Sequence, residues 1–238
     1  MKRINLISCP RNLSTALMYS FAQRPDTKIV DEPMYAHYLV QSGSDHPGKQ
    51  EIIDSMESNL QKIKDQVLYA QYDCEILFVK NMSHHFYDID ESFLLDFSNV
   101  IYIRDPKKII ASFAQVITDP NVRDVGIEKQ FELFQFLDKN GHPPIILDSG
   151  ELLKDPEKVL RELCLRLEIP FNESMLQWEA GPRPEDGIWA KYWYENVHQS
   201  TGFSKQKTSE RNLPEGLESL HNQTMNYYNQ LLNLAIKA

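Results

Sequence analysis

A short run near the N-terminus combines a cation, hydroxyl groups and the start of a helix. The run reads Cys9-Pro10-Arg11-Asn12-Leu13-Ser14-Thr15-Ala16. Residues 3–8 before it have the apolar pattern of a short strand, and residues 16–22 after it have that of a helix. Because the first N–H groups of a helix lack internal acceptors and the helix dipole adds positive charge there, the arrangement favours anion binding. An ordinary strand–helix corner with capping hydroxyls is the alternative.

The turn in this run lacks the glycines that usually accompany nucleotide phosphates. None of the nine glycines comes before Gly43, and neither G-x-x-x-x-G-K-S/T nor G-x-G-x-x-G occurs. We therefore do not expect an ATP or GTP enzyme of the common kind.

A second segment places another cation at a strand end. Residues 99–103 form a near-continuous apolar run, typical of a strand buried on both faces of a parallel sheet. Arg104 follows, Asp105 suits a helix N-cap, Pro106 suits the first helical position, and Ser112 lies two turns further on a helix predicted to reach Ile117. Since open α/β sheets bind ligands at the carboxyl ends of their strands, Arg104 is a candidate binding residue. A surface ion pair is the alternative.

The rest of the chain supplies the elements that would position these two segments. Apolar runs at 28–30, 76–79 and 144–147 read as further strands, with an amphipathic helix over 50–69 and a terminal helix over 214–238. The pattern predicts a single three-layer α/β domain over residues 1–238, with a central parallel sheet of about five strands and helices on both faces. We expect the second strand, which ends before Glu32, to lie beside the first.

Composition argues against several classes of protein. A net charge of −9 is unlike that of a general nucleic-acid binder. The three cysteines (Cys9, Cys74 and Cys164) lack metal-ligand spacing and are odd in number, which disfavours a zinc site or a disulfide framework. Neither a signal peptide nor an apolar stretch of membrane-spanning length occurs in the sequence, so we expect a cytoplasmic protein without a membrane partner.

Taken together, the first two segments resemble the sulfotransferases that use 3′-phosphoadenosine 5′-phosphosulfate. In that family a loop reading Pro-Lys-Ser-Gly-Thr-Thr binds the 5′-phosphosulfate, and this chain matches it at Pro10, Arg11, Ser14 and Thr15. The resemblance extends in order over residues 1–175 and implies the P-loop-like variant of the α/β fold.

The later motifs of the family also have counterparts. An Arg-Asn-Pro turn with a serine eight positions after the arginine binds the 3′-phosphate, and Arg104, Pro106 and Ser112 keep that spacing. Residues 151–171 resemble, more weakly, the acidic turn and helix that end in the family's Ile-Pro-Phe tail.

Some positions depart from the family pattern. Arg11 replaces the usual lysine and keeps the charge, whereas Leu13 stands where the loop normally has glycine. Ser149 replaces a tyrosine that lines the adenine in cytosolic members. With Arg11 and the run 31–33 (Asp-Glu-Pro), the chain is most similar to a divergent branch labelled branched-chain aminotransferase-like, although no lysine has a pyridoxal-phosphate context.

The resemblance implies transfer of a sulfuryl group from that donor to a hydroxyl or amine of a small acceptor molecule. Such a transfer needs positioning and stabilisation of charge on the leaving phosphate, and no metal ion is expected. Lys205 lies in a late segment that loosely matches a loop closing over the nucleotide. The residues implied in donor binding are Arg11, Asn12, Leu13, Ser14, Thr15, Arg104, Ser112 and Lys205.

A hydroxyl acceptor also requires a base. The catalytic residues would then be Arg11, which stabilises charge, and the residue that acts as the base. Glu32 is one candidate, although it is also a plausible turn carboxylate before a proline. The other is His84 or His85, because cytosolic members place a histidine two positions after a lysine, where this chain has Met82.

Two other functions stay open at this point. A nucleotide kinase is disfavoured by the missing Gly-Lys-Ser/Thr, and a catalytically inactive nucleotide binder stays an alternative because of the departures at Leu13 and Met82. The motifs leave the acceptor and the oligomeric state undetermined. The aromatic residues over 189–194 are expected either to line the acceptor pocket or to belong to the core.

Overall fold

Five apolar segments form a parallel sheet, so their carboxyl ends lie along one edge. The structure, a computed structural model, describes residues 1–115, 120–204 and 211–238. The strands are β1 (Lys2–Ser8), β2 (Thr27–Asp31), β3 (Ile76–Met82), β4 (Ser98–Ile103) and β5 (Ile145–Asp148). They run in the order β2-β3-β1-β4-β5, and all neighbouring pairs are parallel, which confirms the predicted sheet.

The position of β2 differs from the expected one. β3 lies between β1 and β2, so the prediction that the second strand lies beside the first is wrong. β3 is buried along nearly its whole length, whereas β2 exposes Lys28, which suits an edge strand. As a consequence, Asp31 pairs with Lys80 in the register of the two strands, and Glu32 follows directly.

Helices cover both faces of this sheet. The α-helices are α1 (Ser14–Ala22), α2 (Tyr35–Ser42), α3 (Lys49–Ser55), α4 (Leu60–Ile63), α5 (Pro106–Phe113), α6 (Val122–Val125), α7 (Ile127–Lys139), α8 (Ser149–Lys154), α9 (Pro156–Arg166), α10 (Ala190–Trp193), α11 (Glu195–His198) and α12 (Glu218–Leu232). A π-helical turn at Lys64–Leu68 and 3₁₀ turns at Ser83–His85, Ser92–Asp96 and Glu173–Leu176 complete the set in the described ranges.

Alternating side chains of the strands feed two separate cores. Leu6 and Val100 belong to the core under α1, α8 and α9. Ile7 and Ile101 belong to the core under α5, α7 and α12. Because both faces are covered, the central strands are apolar on both sides, as the sequence indicated. The three-layer α/β architecture is therefore confirmed.

Three predicted helices are shorter in the structure, and the terminal one, predicted over 214–238, extends over Glu218–Leu232. The helix predicted over 50–69 is broken, because Met56 is extended (φ −130°, ψ 156°) and the Asn59 side chain caps a new turn by accepting from the Lys62 N–H. The helix after Arg104 ends at Phe113, and Ile117 lies outside the described residues. Within the described ranges, no helix has the length and apolar character needed to cross a membrane.

Candidate active site

The loop between β1 and α1 has a backbone that side chains rarely adopt. Arg11 (φ 59°) and Leu13 (φ 70°) both lie in the left-handed region, and Leu13 is the residue that precedes the helix. This conformation costs an L-residue about 1–2 kcal/mol, which explains why related loops place glycine at the position of Leu13. Strain of this kind is typical of ligand-binding loops that the surrounding structure holds in place.

The Asn12 side chain fixes the strained loop through two hydrogen bonds to backbone groups. Its Nδ2 donates to the Tyr102 carbonyl at 2.6 Å, and its Oδ1 accepts from the Ser14 N–H at 3.1 Å. Asn12 is fully buried, so its side chain faces the protein rather than solvent. The N–H groups of Thr15 and Ala16 have no acceptor among the described residues and remain available at the helix start.

The two segments selected from the sequence meet directly. Arg104 donates from Nη1 to the Arg11 carbonyl, and Arg11 donates from Nε to Ser112 Oγ at 2.9 Å. Asp105 caps α5 by accepting from the Lys107 N–H at 2.9 Å, and Pro106 is the first helical residue, as predicted. Strand end, loop and helix therefore form one unit around the Arg11 guanidinium.

Besides Lys80, four cations line the cavity beside this unit: Arg11, Arg104, Lys108 and Arg211. None of them has a carboxylate within 4.0 Å among the described residues. Burial lowers the pKa of Arg11, and repulsion from Arg104 and Arg211 lowers it further. Burial likewise lowers the pKa of Arg104. Cations gathered without an ion-pair partner among the described residues are arranged to bind an anion, since an anion would relieve both effects.

A carboxylate lies across the same cavity. Glu32 follows β2 with a left-handed backbone (φ 45°), and its N–H donates to the Lys80 carbonyl at 2.7 Å. Its Oε1 accepts from Lys80 Nζ at 2.5 Å. Its Oε2 accepts no hydrogen bond from the described residues. It is also not one of the fully buried polar atoms that lack a partner there, so it is open to the cavity that Glu32 lines.

Glu32 belongs to a buried group that we term the Lys80 cluster, made of Asp31, Glu32, Lys80 and Tyr194. Lys80 Nζ also donates to Asp31 Oδ1 at 2.9 Å and to the Tyr194 hydroxyl at 2.8 Å. Burial raises the pKa of Asp31 to about 6 against the attraction of Lys80. Burial lowers the pKa of Lys80, but the two carboxylates outweigh it and the net shift is upward.

His84 and His85 line the cavity as uncharged rings. Burial lowers the pKa of His84 to about 3, and burial together with the neighbouring His84 takes the pKa of His85 well below its usual value. The His85 ring stacks on Tyr35 and Tyr38. The Nδ1 atoms of both histidines are buried without a hydrogen-bond partner among the described residues. Their low affinity for protons makes both rings weak bases at neutral pH.

Aromatic side chains form the remaining wall near Glu32. Tyr35, Trp193 and His46 line the cavity, and the Trp193 ring stacks with Phe113 at 6.5 Å between centroids. The predicted aromatic segment thus supplies both wall and core, since Trp189 is buried.

The sequence interpretation found most of this site but not all of it. Arg11, Asn12, Leu13, Ser14, Thr15, Glu32, His84, His85, Arg104 and Ser112 all line the one cavity. Lys205 lies outside the described residues. Arg211, Lys108, Asp31 and Tyr194 were missed: Asp31 is signalled by its place beside Glu32, whereas Tyr194 has no local signal. In the described ranges, no group of three or more His, Cys, Asp or Glu side chains is arranged to hold a metal ion.

Comparison with known proteins identifies the class to which this fold and site belong. The family model described as "Sulfotransferase domain" matches residues 1–235, so the chain belongs to that family. The solved sulfotransferase domain of the Synechococcus PCC 7002 olefin synthase has a TM-score of 0.59 at 19% identity, covering 96% of this chain and 94% of that one. The sulfotransferase domain from the curacin biosynthetic pathway has a TM-score of 0.55 at 17% identity, with 97% of both chains covered. The fold is thus the P-loop-like fold of sulfotransferases.

A relative with higher identity comes from a plant. "Branched-chain-amino-acid aminotransferase-like protein 1" of Arabidopsis thaliana is 41% identical over 225 residues, which cover 94% of this chain. The chain spans 40% of the length of that relative.

Proposed function

We propose that the protein transfers a sulfuryl group from 3′-phosphoadenosine 5′-phosphosulfate to a hydroxyl or amine of a small acceptor molecule. The observation that carries this proposal is a set of four cavity cations that have no carboxylate partner among the described residues, next to helix N–H groups that have no acceptor there and across the cavity from an open carboxylate oxygen. Family membership supports the sulfuryl-transfer chemistry.

The two arginines divide the donor between them. Arg11 and the N–H groups of Thr15 and Ala16 lie at the start of α1 and are assigned to the phosphosulfate end. Arg104 directly precedes the N-cap of α5, and Ser112 lies within that helix. Both are assigned to the 3′-phosphate. Because Arg104 donates to the Arg11 carbonyl and Ser112 accepts from Arg11, binding at one end orders the residues of the other.

The transfer conserves atoms and charge in a simple way. The acceptor oxygen forms a bond to sulfur, the bond from sulfur to the bridging oxygen breaks, and its electron pair leaves with adenosine 3′,5′-bisphosphate. Arg11 stabilises the charge that grows on the bridging oxygen. The acceptor proton passes to Glu32, whose Oε2 is open to the cavity, while the aromatic wall of Tyr35 and Trp193 holds the acceptor.

Binding and product formation test the proposal separately. Isothermal titration with adenosine 3′,5′-bisphosphate, adenosine 5′-monophosphate, ATP and GTP should show a clear preference for the bisphosphate. Equal affinity for the bisphosphate and monophosphate would contradict the donor assignment, and a preference for ATP or GTP would favour a kinase. Mass spectrometry of reactions with the sulfated donor and a panel of phenols, alcohols and amines should show a product heavier by one sulfuryl group. Bisphosphate binding without any product would indicate an inactive binder.

A further inference from the structure

The Lys80 cluster presents a chemical difficulty for Glu32 as a base. A carboxylate held against a buried ammonium at 2.5 Å is stabilised in its charged form, which opposes proton uptake. We propose that Asp31 and Tyr194 balance the charge of Lys80, so that Lys80 positions Glu32 without removing its ability to accept a proton. This inference rests on the proposed sulfuryl transfer, in which Glu32 is the base.

The hydrogen bonds of the cluster account for nearly all of its polar atoms. The three N–H bonds of the Lys80 ammonium go to Asp31, Glu32 and Tyr194. The Tyr194 hydroxyl donates to Asp31 Oδ2 at 2.6 Å and accepts from the Trp189 indole N–H at 3.2 Å. Only Glu32 Oε2 is left without a partner among the described residues, and it is the atom open to the cavity. The network therefore fixes the carboxylate and directs one oxygen to the acceptor.

The charges of the cluster favour the uptake of one proton. One ammonium faces two carboxylates, so the buried group carries a net charge of −1 before the transfer and becomes neutral when a proton arrives. Neutralising a buried charge is favourable, because the interior solvates it poorly. Without Asp31 the same proton would convert a neutral pair into a buried cation, which is unfavourable. Asp31 therefore decides whether burial favours or opposes the uptake of a proton by the cluster.

Three of the titratable side chains around the cluster are uncharged rings at neutral pH. Tyr35 on α2 faces Glu32, His85 after β3 faces Lys80, and Tyr19 on α1 faces Asp31. Burial raises the pKa values of the two tyrosines and lowers that of the histidine, so each ring is neutral there. Beyond these rings, Tyr19 donates to Asp186, which pairs with His198 beside the Tyr194 ring, so the charges in direct contact with Glu32 are those of the cluster itself.

The segment that carries Tyr194 also links the base to the acceptor wall. Trp193, the preceding residue, lines the cavity, and Tyr194 lies against Lys80 with the ammonium 5.2 Å from its ring centroid. Tyr194 and Asp31 are positioning residues: they act on the reaction through Glu32.

The first experiment follows the carboxyl groups of the nucleotide-free protein by ¹³C NMR as the pH is varied. Signals of Asp31 and Glu32 are assigned with Asp31→Asn and Glu32→Gln. In Asp31→Asn the Glu32 signal should titrate at a pH lower by about one unit or more, because Lys80 then acts on Glu32 alone. An unchanged Glu32 titration would overturn the proposal.

A second variant protects the test against misfolding of the first. In Tyr194→Phe the Asp31 signal should titrate at higher pH, because Asp31 loses the hydroxyl that stabilises its charge. Tyr228→Phe is the matched control, since the Tyr228 hydroxyl donates to another buried carboxylate, Asp148, at 3.1 Å. That control should leave the Asp31 and Glu32 titrations unchanged. Equal effects of the two tyrosine variants would also overturn the proposal.

The kinetic readout separates this inference from the proposed function. With 4-nitrophenol as the probe acceptor, the acid limb of kcat/KM should move to lower pH in Asp31→Asn, in step with the NMR titration. If the carboxyl titrations move as expected but no acceptor is sulfated by the native protein, the sulfotransferase proposal fails and the charge balance stands. If the native protein is active and the titrations do not move, only the charge balance fails.

Discussion

At the scale of single residues, Arg104 offers the sharpest test of donor recognition. Arg104→Ala should weaken binding of adenosine 3′,5′-bisphosphate by about 2–3 kcal/mol, because a charge-assisted contact to the 3′-phosphate is lost. Affinity for adenosine 5′-monophosphate should change less. Isothermal titration measures both. Arg166→Ala is the control, since Arg166 is an exposed arginine paired with Glu162 on α9. A similar loss for both nucleotides would assign Arg104 only to holding the loop at the Arg11 carbonyl.

Arg11 is expected to act more on the transition state than on binding. Arg11→Ala should lower kcat by a larger factor than it weakens bisphosphate affinity, because charge on the bridging oxygen grows as the sulfuryl group leaves. Arg11→Lys should keep part of the activity, although a lysine loses the Nε contact to Ser112. Steady-state kinetics and titration of the same preparations check this. Near-native turnover in Arg11→Ala would contradict the role of Arg11 in the transition state.

The choice of base is also a question of single residues. Glu32→Gln keeps the shape of the side chain and removes its basicity, so kcat for a hydroxyl acceptor should fall by about 100-fold or more. His84→Asn and His85→Asn should have smaller effects on kcat, because both rings have depressed pKa values. Rates measured for the three variants, with bisphosphate affinity as the check on folding, decide the matter. A large loss in a histidine variant beside an active Glu32→Gln would move the base to the turn after β3.

At the scale of elements, the strained loop depends on a side chain beneath it. Asn12→Ala removes the bonds to the Tyr102 carbonyl and the Ser14 N–H, and should lower the free energy of unfolding by about 1–3 kcal/mol. Bisphosphate affinity should fall as well, because the loop is no longer held in its left-handed conformation. Asn172→Ala is the matched control, since Asn172 caps a surface turn by accepting from the Ser174 N–H. Urea unfolding and titration measure both quantities, and full affinity in Asn12→Ala would contradict the role assigned to it.

At the scale of the whole molecule, the buried histidines tie stability to pH. The folded-state pKa of His84 is about 3 and that of His85 lies well below the unfolded value of about 6.5. Below that value the unfolded chain therefore binds more protons than the folded one. The contribution of the neutral histidines to the free energy of unfolding is fully present above pH 6.5 and is lost as the pH falls toward 3. Asp31, whose pKa is raised to about 6, acts in the opposite direction as it takes up a proton.

The difference between native protein and His84→Asn isolates the histidine contribution. As the pH falls from about 6.5 to 4.5, the native free energy of unfolding should fall relative to the variant, with a slope that steepens toward about 1.4 kcal/mol per pH unit. Urea unfolding at several pH values gives both curves. Curves that stay parallel over this range would show that His84 is accessible to protons in the folded protein.

Local patterns were sufficient for a large part of this description. The strands and α1 follow from apolar runs and their boundaries, and the start of α5 follows from Asp105 and Pro106, because these signals depend only on neighbouring residues. Arg104 could be placed near the N-terminal loop because parallel strands end at one edge of a sheet, whereas Ser112 was assigned through the spacing that it shares with the family motif. By itself the sequence thus determined the layers, and it named the residues of the proposed anion site and the candidates for the base.

The contacts between distant segments were decided only by the tertiary structure. The position of β3 between β1 and β2 follows from the burial of complete strands, which no local pattern specifies. This strand order places Lys80 against Glu32. Tyr194 joins the same cluster from far along the chain, and Arg211 joins the cations from beyond the predicted Lys205. Such partners have no fixed spacing in sequence, because packing of complete layers brings them together. For this reason the sequence named Glu32 as a base, but only the folded chain revealed the charges that surround it.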